Sequence, residues 1–285
     1  MPDTVVLNVD LADVWAERGR KKLIRTIAWG DEVTLLKVAA THLEVGITVF
    51  REKPDGSILP ESITGYIEPT KSSGLKIANL TRPLADNQVL KVNFVDVQQG
   101  DGSVIESPDG KIILVDGGDN QMFARYLAGR FRGTTAEHPQ PIDCIIVTHG
   151  DADHFAGLPE ILKSETNKVK RKRLFMQPKR VYHNGIVKRP SKMNNKAVPD
   201  TKLLGPTKTV NGQLYLTGPF REWKNTLATY NSRSAVSFRR LQFGDNQAFE
   251  FFNRGDLRME TLGPLTTTVG GQSALKFLGE PPKGP

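Results

Sequence analysis

The stretch PIDCIIVTHGDADHFAGLPEILK, residues 141–163, combines three local signals that together indicate the fold of its domain. Its apolar run at 144–147 is short and continuous, which is typical of a strand buried on both faces of a sheet. A polar loop at 148–154 follows, and Pro159 then stands in the first turn of a predicted helix. A buried strand that leads directly into a helix predicts a layered α/β domain.

The residues before this stretch have the same character. VLKVNFVDV (89–97), GSVIESP (102–108) and KIILVDGG (111–118) are typical of strands, and SPDG forms a tight turn between the second and the third. NQMFARYLAGRF (120–131) repeats apolar residues at helical spacing. We therefore predict three strands and a helix ahead of the buried strand.

Residues 1–70 differ, because short apolar segments alternate there with turn residues such as WGDE and KPDG. This pattern predicts a small antiparallel barrel, and we expect Trp29, Phe50 and Tyr66 to form its aromatic core. The segments TIAWGDEV and GYIEP resemble the first and last strands of bacterial SH3-like domains. Residues 71–88, rich in Ser, Gly, Pro and Asn, are predicted to be a linker to a second domain at 89–285.

The composition excludes several classes of protein. With 285 residues, 38% of them hydrophobic, the chain can bury a substantial core, and it has no apolar stretch near the ~20 residues that cross a bilayer. The N-terminal residues lack a secretory signal, so we predict a cytoplasmic protein without membrane contact. Cys144 is the single cysteine, which excludes internal disulfides and Cys-rich zinc sites.

The positive charge is concentrated in one segment. Residues 163–202, predicted to be a basic insertion, contain thirteen Lys or Arg against two acids, a net +11, whereas the whole chain carries +8. The densest part is KVKRKR, and its candidate phosphate- or nucleic-acid-binding residues are Lys170, Arg171, Lys172 and Arg173. A phosphate-rich substrate and an ordinary solvated face remain equally open explanations.

The loop after the buried strand places His149, Asp151, Asp153 and His154 within six positions. Imidazole nitrogens with carboxylate oxygens suit zinc, manganese or iron, and the lack of thiolates argues against a structural zinc site. A metal here would act as a Lewis acid and lower the pKa of bound water to about 7. The alternative is that Asp151 caps the next helix and His154 is an ordinary loop histidine.

Two more strand ends carry acids. Asp116 ends a strand at a glycine pair, where it could orient a metal ligand from behind. Asp96, Gln99 and Asp101 surround a glycine turn and could support the ligands in the same way. Each of these residues could also be an ordinary turn residue. Because these strand ends occur in one domain, we predict that their side chains line a single opening to the site.

The segments FVDVQQGDGSVIESPDGKIILVDGG and IDCIIVTHGDADHFAGLPEIL resemble the metallo-β-lactamase fold hydrolases, and within them the hydrolase domains of ComEC-type DNA-uptake proteins. The resemblance covers 89–163 and implies an αββα sandwich with two divalent ions, zinc or manganese. It assigns His149 and Asp151 to one ion and Asp153 and His154 to the other, with Asp116 behind them.

The sequence departs from the family pattern at several points. Gln98 replaces the first glycine of the turn, and Asp151 replaces a histidine of the broader superfamily, which indicates either a more oxygen-rich site that favours manganese or a site with weakened affinity for zinc. The later ligands implied by the family are not evident, since His183 is the only histidine after His154. We therefore expect only the N-terminal part of the sandwich, completed by a missing C-terminal half or by another polypeptide.

His183 has two interpretations, a surface turn residue or a group that contacts phosphate or donates a proton to a leaving group. With Asp153 and Asp116 it completes the candidate catalytic set.

Three functions remain open. The first is a metal-dependent phosphodiesterase or nuclease, and the second is a hydrolase of a small nucleotide or cyclic nucleotide. The third is a catalytically incomplete module that binds nucleic acid or a partner protein.

Overall fold

The computed structural model describes residues 3–69, 74–184 and 217–269, together with the backbone of five short strand segments in 192–214 and 272–275. The chain divides into two compact units, Met1–Val89 and Leu90–Pro285. The described part of the first unit consists of strands and short turns, and the second unit mixes helices with strands.

The first unit forms one seven-stranded antiparallel sheet, in the order β3-β2-β6-β5-β4-β1-β7. Its strands are β1 (Asp3–Leu7), β2 (Leu11–Glu17), β3 (Lys21–Ala28), β4 (Glu32–Val38), β5 (Leu43–Glu52), β6 (Ile58–Ile67) and β7 (Thr81–Pro83). Two 3-10 turns, Ile77–Asn79 and Leu84–Asp86, flank β7. The prediction of an all-β N-terminal region is therefore confirmed, and its likeness to SH3 domains stays a prediction.

The core of this unit is aliphatic, so the prediction of an aromatic core was wrong. Trp29 follows the end of β3 and is 47% exposed, with the guanidinium of Arg82 4.4 Å from its ring centroid. Tyr66 is only partly buried because it points to the opposite face from its buried neighbour Ile67. Phe50 is also partly buried. The inward positions are instead filled by Val5, Leu7, Val14, Ile27, Val33, Leu43, Val45, Ile47, Ile67 and Leu80.

The segment predicted as a linker contributes to the first unit. β7 pairs with β1, with Pro83 opposite Val5, and Leu80 is buried in the core. Pro83 is tolerated because β7 is an edge strand, where a missing N–H leaves no ladder bond unmade. A three-residue strand between two 3-10 turns is too short to give a periodic pattern, which is why the sequence did not indicate it.

The second unit is built on a six-stranded sheet, in the order β19-β14-β12-β10-β9-β8. Its strands are β8 (Lys91–Phe94), β9 (Gly102–Glu106), β10 (Ile112–Asp116), β12 (Cys144–Val147), β14 (Arg180–His183) and β19 (Ser237–Arg240). β8, β9 and β10 are antiparallel neighbours, whereas β10, β12, β14 and β19 run parallel. The predicted order of strands and helices is confirmed.

The remaining elements surround this sheet. The helices are α1 (Met122–Arg130), α2 (Ala152–Phe155), α3 (Leu158–Ser164) and α4 (Gly218–Arg233), with 3-10 turns at Lys170–Lys172 and Asn246–Phe249. The short paired strands are β11 (Gln140–Ile142) with β13 (Met176–Pro178), β15 (Lys192–Met193) with β16 (Lys196–Ala197), β17 (Thr209–Val210) with β18 (Gln213–Leu214), and β20 (Thr266–Val269) with β21 (Gln272–Leu275). None of the helices described is long and apolar enough to cross a membrane.

Side chains alternate between the two faces of the large sheet, as the pleat of a strand requires. One face packs against helices and includes Leu114, Ile145 and Val181. The other face, with Ile113, Cys144 and Tyr182, packs against an aromatic cluster that includes Phe249 and Phe252. Both faces are thus covered, which explains why the strand at 144–147 is apolar without alternation. The mixed α/β architecture is confirmed, and the assignment to the N-terminal part of an αββα sandwich stays a prediction.

Candidate metal centre

The polar loops identified in the sequence lie at one edge of the six-stranded sheet. β10 and β12 are parallel neighbours that end at Asp116 and Val147. β9 runs in the opposite direction and begins at Gly102, directly across from Asp116. The loops that follow β10 and β12 and the loop that precedes β9 therefore meet at this edge, where open α/β sheets commonly bind ligands.

Glycines allow these loops to approach one another more closely than side chains would permit. A Cβ added to Gly100 would lie 1.6 Å from the carbonyl oxygen of Asp153, and the φ of Gly100 is +86°. A Cβ added to Gly157 would lie 2.1 Å from the carbonyl oxygen of Gly117. The glycines of the QQGD, VDGG and HFAG segments are thus required by backbone contact between loops.

Main-chain hydrogen bonds join the three loops. The Gly117 N–H donates to the His154 carbonyl at 2.7 Å, and the Gly118 N–H donates to the Asp101 carbonyl at 2.8 Å. The Gly157 N–H in turn donates to the carbonyl of Gly118 at 2.8 Å. The candidate ligand loop, residues 148–157, is therefore held against both neighbouring loops by main-chain hydrogen bonds as well as by packing.

Asp116 is the buried centre of this arrangement, with an exposure of 2%. Its carboxylate accepts the backbone N–H of Thr148 at 2.8 Å and the hydroxyl of Thr148 at 2.5 Å. The same carboxylate lies 2.9 Å from Nδ1 of His154. Asp116 itself adopts a left-handed φ of +56°, a conformation that costs a non-glycine residue energy. Asp116 therefore contacts two residues of the loop, Thr148 and His154, and its role behind metal ligands stays a prediction.

Two imidazoles and a carboxylate lie together in front of Asp116. The rings of His149 and His154 are 3.8 Å apart between centroids and are inclined by 51°. Asp151 Oδ2 lies 4.0 Å from His149 Nε2. The His154 side chain is 13% exposed and that of His149 is 41% exposed, so the pair extends from the interior to the mouth.

The alternative role of Asp151 as a helix cap is not supported. α2 begins after Asp151, but the Asp151 side chain makes no capping hydrogen bond. Asp153 and His154 occupy successive positions of this one-turn helix, and the Asp153 backbone carbonyl is the group that faces Gly100. The side chain of Asp153 is partly buried.

The donor set fits a divalent cation in its chemistry. Metal-bound histidines commonly donate their second ring N–H to a carboxylate, and His154 has that relation to Asp116 through Nδ1, so Nε2 would be its ligand atom if an ion bound here. Within the described ranges, however, no group of three or more His, Cys, Asp or Glu side chains is arranged to hold an ion. The loop thus has suitable ligands and a positioning carboxylate without a closed coordination shell.

The other acids predicted to support the site occupy the turn before β9. Asp101 Oδ2 lies 3.7 Å from His154 Nδ1, although the Asp101 side chain is largely exposed. Asp96 Oδ1 accepts the backbone N–H of Gln98 at 2.9 Å, which stabilises the left-handed φ of +69° at Gln98. Gln99 donates its own backbone N–H to Val97 within the same turn. Asp101 approaches the candidate ligands, whereas the recorded hydrogen bonds of Asp96 and Gln99 shape the turn.

His183 is the last residue of β14 and not a residue of a surface turn. It pairs with Val147 across the parallel ladder, so it lies at the same sheet edge as the ligand loop. Burial, with a smaller contribution from the charge of Arg240, lowers the pKa of His183. The side chain is therefore neutral at pH 7, which disfavours the proposed role as a proton donor.

Sequence reasoning missed two residues that hold the loop. Thr148 bonds Asp116 through both its N–H and its hydroxyl. Asn184 donates its side-chain amide to the Thr148 carbonyl at 2.9 Å, which links the ends of β12 and β14. Both are polar residues that directly follow or end an apolar strand, and this position was the available signal.

The basic run Lys170–Arg173 lies away from the ligand loop. Phe175, two residues after the run, lies at the opposite end of the strands, because its backbone carbonyl accepts the N–H of Gln140 at the start of β11. Parallel strands begin at the edge opposite to the one where they end, so these cations do not converge on His149. The part of the basic insertion after Asn184 lies outside the described residues, apart from short backbone segments.

Comparison with known families identifies the second unit. A model of the metallo-beta-lactamase superfamily matches residues 95–276, which is more than half of the chain and includes all three loops. Searches among curated proteins and among solved structures found no match. The superfamily consists largely of metal-dependent hydrolases that typically bind divalent ions such as zinc. The chain, which carries the loop and the positioning carboxylate described above, belongs to the metallo-beta-lactamase superfamily.

Proposed function

We propose that the second unit is a metal-dependent hydrolase of phosphodiester bonds, a phosphodiesterase or nuclease. The observation that carries this proposal is the buried carboxylate of Asp116, which bonds both Thr148 and His154 at the base of the loop. A buried acid with a strained backbone lowers the stability of the fold. Such residues occur where a functional geometry must be held, as when a carboxylate orients a histidine.

We assign the metal to the ligand loop. His149 and Asp151 would hold one divalent ion, and Asp153 and His154 would hold a second. Bound there, the ions would supply Lewis acidity and a nucleophilic water with a pKa near 7. Asp151 adds a carboxylate where the broader superfamily has a histidine, and this harder donor favours manganese over zinc.

The residues around the loop have roles that do not depend on the ion. Asp116 keeps the proton of His154 on Nδ1, so that Nε2 points its lone pair outward. Thr148 and Asn184 hold the backbone of the loop against β14. His183, neutral at pH 7, would serve as a hydrogen-bond partner at the mouth of the site.

The charge of the chain supports an anionic polymer as substrate. The net charge of +8 arises from the segment 163–202, and phosphates are the common anions that such segments attract. The resemblance of the three loops to the hydrolase domains of ComEC-type DNA-uptake proteins supports the same class. A small nucleotide or cyclic nucleotide is the alternative substrate, and salt-sensitive affinity for long polyanions would separate the two.

One observation favours a non-catalytic alternative. The candidate ligands come from a single loop, and in the residues described they form no closed set. A module that binds nucleic acid or a partner protein, with the first unit as an SH3-like docking element, would need no stoichiometric metal. Elemental analysis of the purified chain therefore separates this alternative from the hydrolase.

The decisive experiment combines metal content with activity. Asp153→Asn removes one carboxylate from the loop, and we expect it to lower bound manganese or zinc and to abolish metal-dependent cleavage of labelled DNA and RNA. Glu137→Gln is the matched control, because Glu137 is an exposed acid in the loop before β11. Unchanged metal content and cleavage in Asp153→Asn would refute the assignment.

A further inference from the structure

We propose that the cleft between α1 and α3 binds a phosphate group of a polynucleotide whose neighbouring nucleotides occupy the ligand loop. This inference rests on the proposed function in one respect, since it takes the substrate to be a polynucleotide. It adds a binding site for the substrate outside the metal loop and thereby distinguishes a polymer from a mononucleotide.

The cleft has a volume of about 100 Å³ and is formed by three separate elements. α1 contributes Arg125, α3 contributes Glu160 and Lys163, and the 3-10 turn after α3 contributes Lys172. The charged side chains that line it are thus three cations and one carboxylate. A concave site with an excess of cations from several elements is a suitable receptor for a phosphate.

Two of the three cations have no acidic partner. Neither Arg125 nor Lys172 forms an ion pair with any residue that the structure describes, and Arg125 Nη1 contacts the sulfur of Met122 at 4.0 Å. Lys163 differs, because it bonds Glu160 at 2.7 Å and also Glu222. These hydrogen bonds raise the pKa of Lys163. Because Lys163 pairs with Glu160, the carboxylate that lines the cleft, the positive charges of Arg125 and Lys172 are not balanced by it.

The turn that presents Lys172 is held in place by its own hydrogen bonds. The side-chain oxygen of Asn167 accepts the N–H of Val169 at 2.9 Å, and the N–H of Lys172 donates to the Val169 carbonyl at 2.9 Å. Arg173 is used in the same turn, because its Nε donates to the Asn167 carbonyl at 2.6 Å. Of these two cations, Lys172 lines the cleft and Arg173 stabilises the turn.

Both helices connect the cleft to the ligand loop, and at least half of the cleft lining lies beyond their first turns. Asn120, two residues before α1, donates its side-chain amide to the Val97 carbonyl at the loop edge. Glu160 follows the loop glycine Gly157 by three residues, which is less than one helical turn of about 5.4 Å. One nucleic-acid strand carries a phosphate about every 3.4 Å along a duplex axis, so a strand at the loop would place a phosphate a few nucleotides away in the cleft.

The test measures binding of a labelled oligodeoxythymidylate, and of the matching RNA, to the full chain with the metal removed by EDTA. We expect Arg125→Gln and Lys172→Gln each to weaken binding about 2- to 5-fold and to reduce the salt dependence of log Kd by about one. The matched controls are Arg132→Gln and Lys168→Gln, which remove exposed cations that do not line the cleft. Circular dichroism confirms that each variant is folded.

The outcomes separate this inference from the proposed function. If both cleft variants lose affinity while the controls do not, the cleft binds the polymer, whether or not the chain cleaves it. If the cleft variants bind like the controls, or the parent chain binds neither oligonucleotide, the inference is wrong. Hydrolysis of bis(p-nitrophenyl) phosphate with manganese, by the parent chain and by the two control variants, tests the proposed function separately, because this small diester needs only the ligand loop.

Discussion

Replacing Gly100 by alanine tests whether close backbone contact between loops builds the candidate centre. The new Cβ would lie 1.6 Å from the carbonyl oxygen of Asp153, so the two loops must separate by more than an ångström. The left-handed φ of +86° adds a cost of about 1–2 kcal/mol for any residue with a Cβ. Overpacking of a fixed contact costs about 1–3 kcal/mol more. We therefore expect a destabilisation of about 2–5 kcal/mol, the sum of these two contributions.

Gly110 provides a matched control within the same unit. It has a similar φ of +77°, but a Cβ added to it meets nothing within 4 Å. Gly110→Ala should therefore lose only the backbone contribution of about 1–2 kcal/mol. The difference between the two variants isolates the contact with Asp153.

The assay is urea unfolding followed by the fluorescence of Trp223, the single tryptophan of the second unit, in a background where Trp15 and Trp29 are Phe. Metal affinity, measured by competition with a chelator, should also fall in Gly100→Ala because Asp153 and His154 share the displaced loop. Equal loss of stability in Gly100→Ala and Gly110→Ala, with unchanged metal affinity, would refute the argument.

Two further predictions concern residues behind and beside the loop. Asp116→Asn should lower metal affinity about 10- to 100-fold, because an amide cannot orient Nδ1 of His154 as a carboxylate does; chelator competition measures this, and Asp119→Asn, an exposed neighbour, should match the parent. Because burial lowers the pKa of His183 below 6.5, the unfolded chain binds a proton that the folded chain does not. Stability should thus be full above pH 6.5 and decline as the pH falls below it, and His183→Gln should remove this component of the pH dependence of unfolding. A pH dependence unaltered by that substitution would contradict the assignment.

The sequence allowed the order of elements in the second unit to be predicted because its local signals agree. The strand at 144–147 is apolar throughout, the loop after it is polar, and Pro159 marks the start of a helix. The first unit was predicted less well. Its strands are short, and the segment with Pro83 lacks any periodicity, so β7 became evident only through its pairing with β1.

The composition of the candidate centre was also readable from the sequence, since His149, Asp151, Asp153 and His154 are adjacent in the chain. The sequence did not show which distant residues lie near these four. Pairing in a parallel sheet brings His183 to the loop edge and carries Lys170 toward the other edge, although Lys170 is closer to the loop in sequence.

The sequence by itself determined the chemistry of the loop and the α/β character of its domain, because residue types and apolar runs act over a few neighbouring positions. Only the tertiary structure decided that Asp116 holds Thr148 and His154, and that Gly100 lies against Asp153. These contacts join residues more than thirty positions apart. They depend on the register of strands and the crossing of loops, which no local pattern of residues encodes.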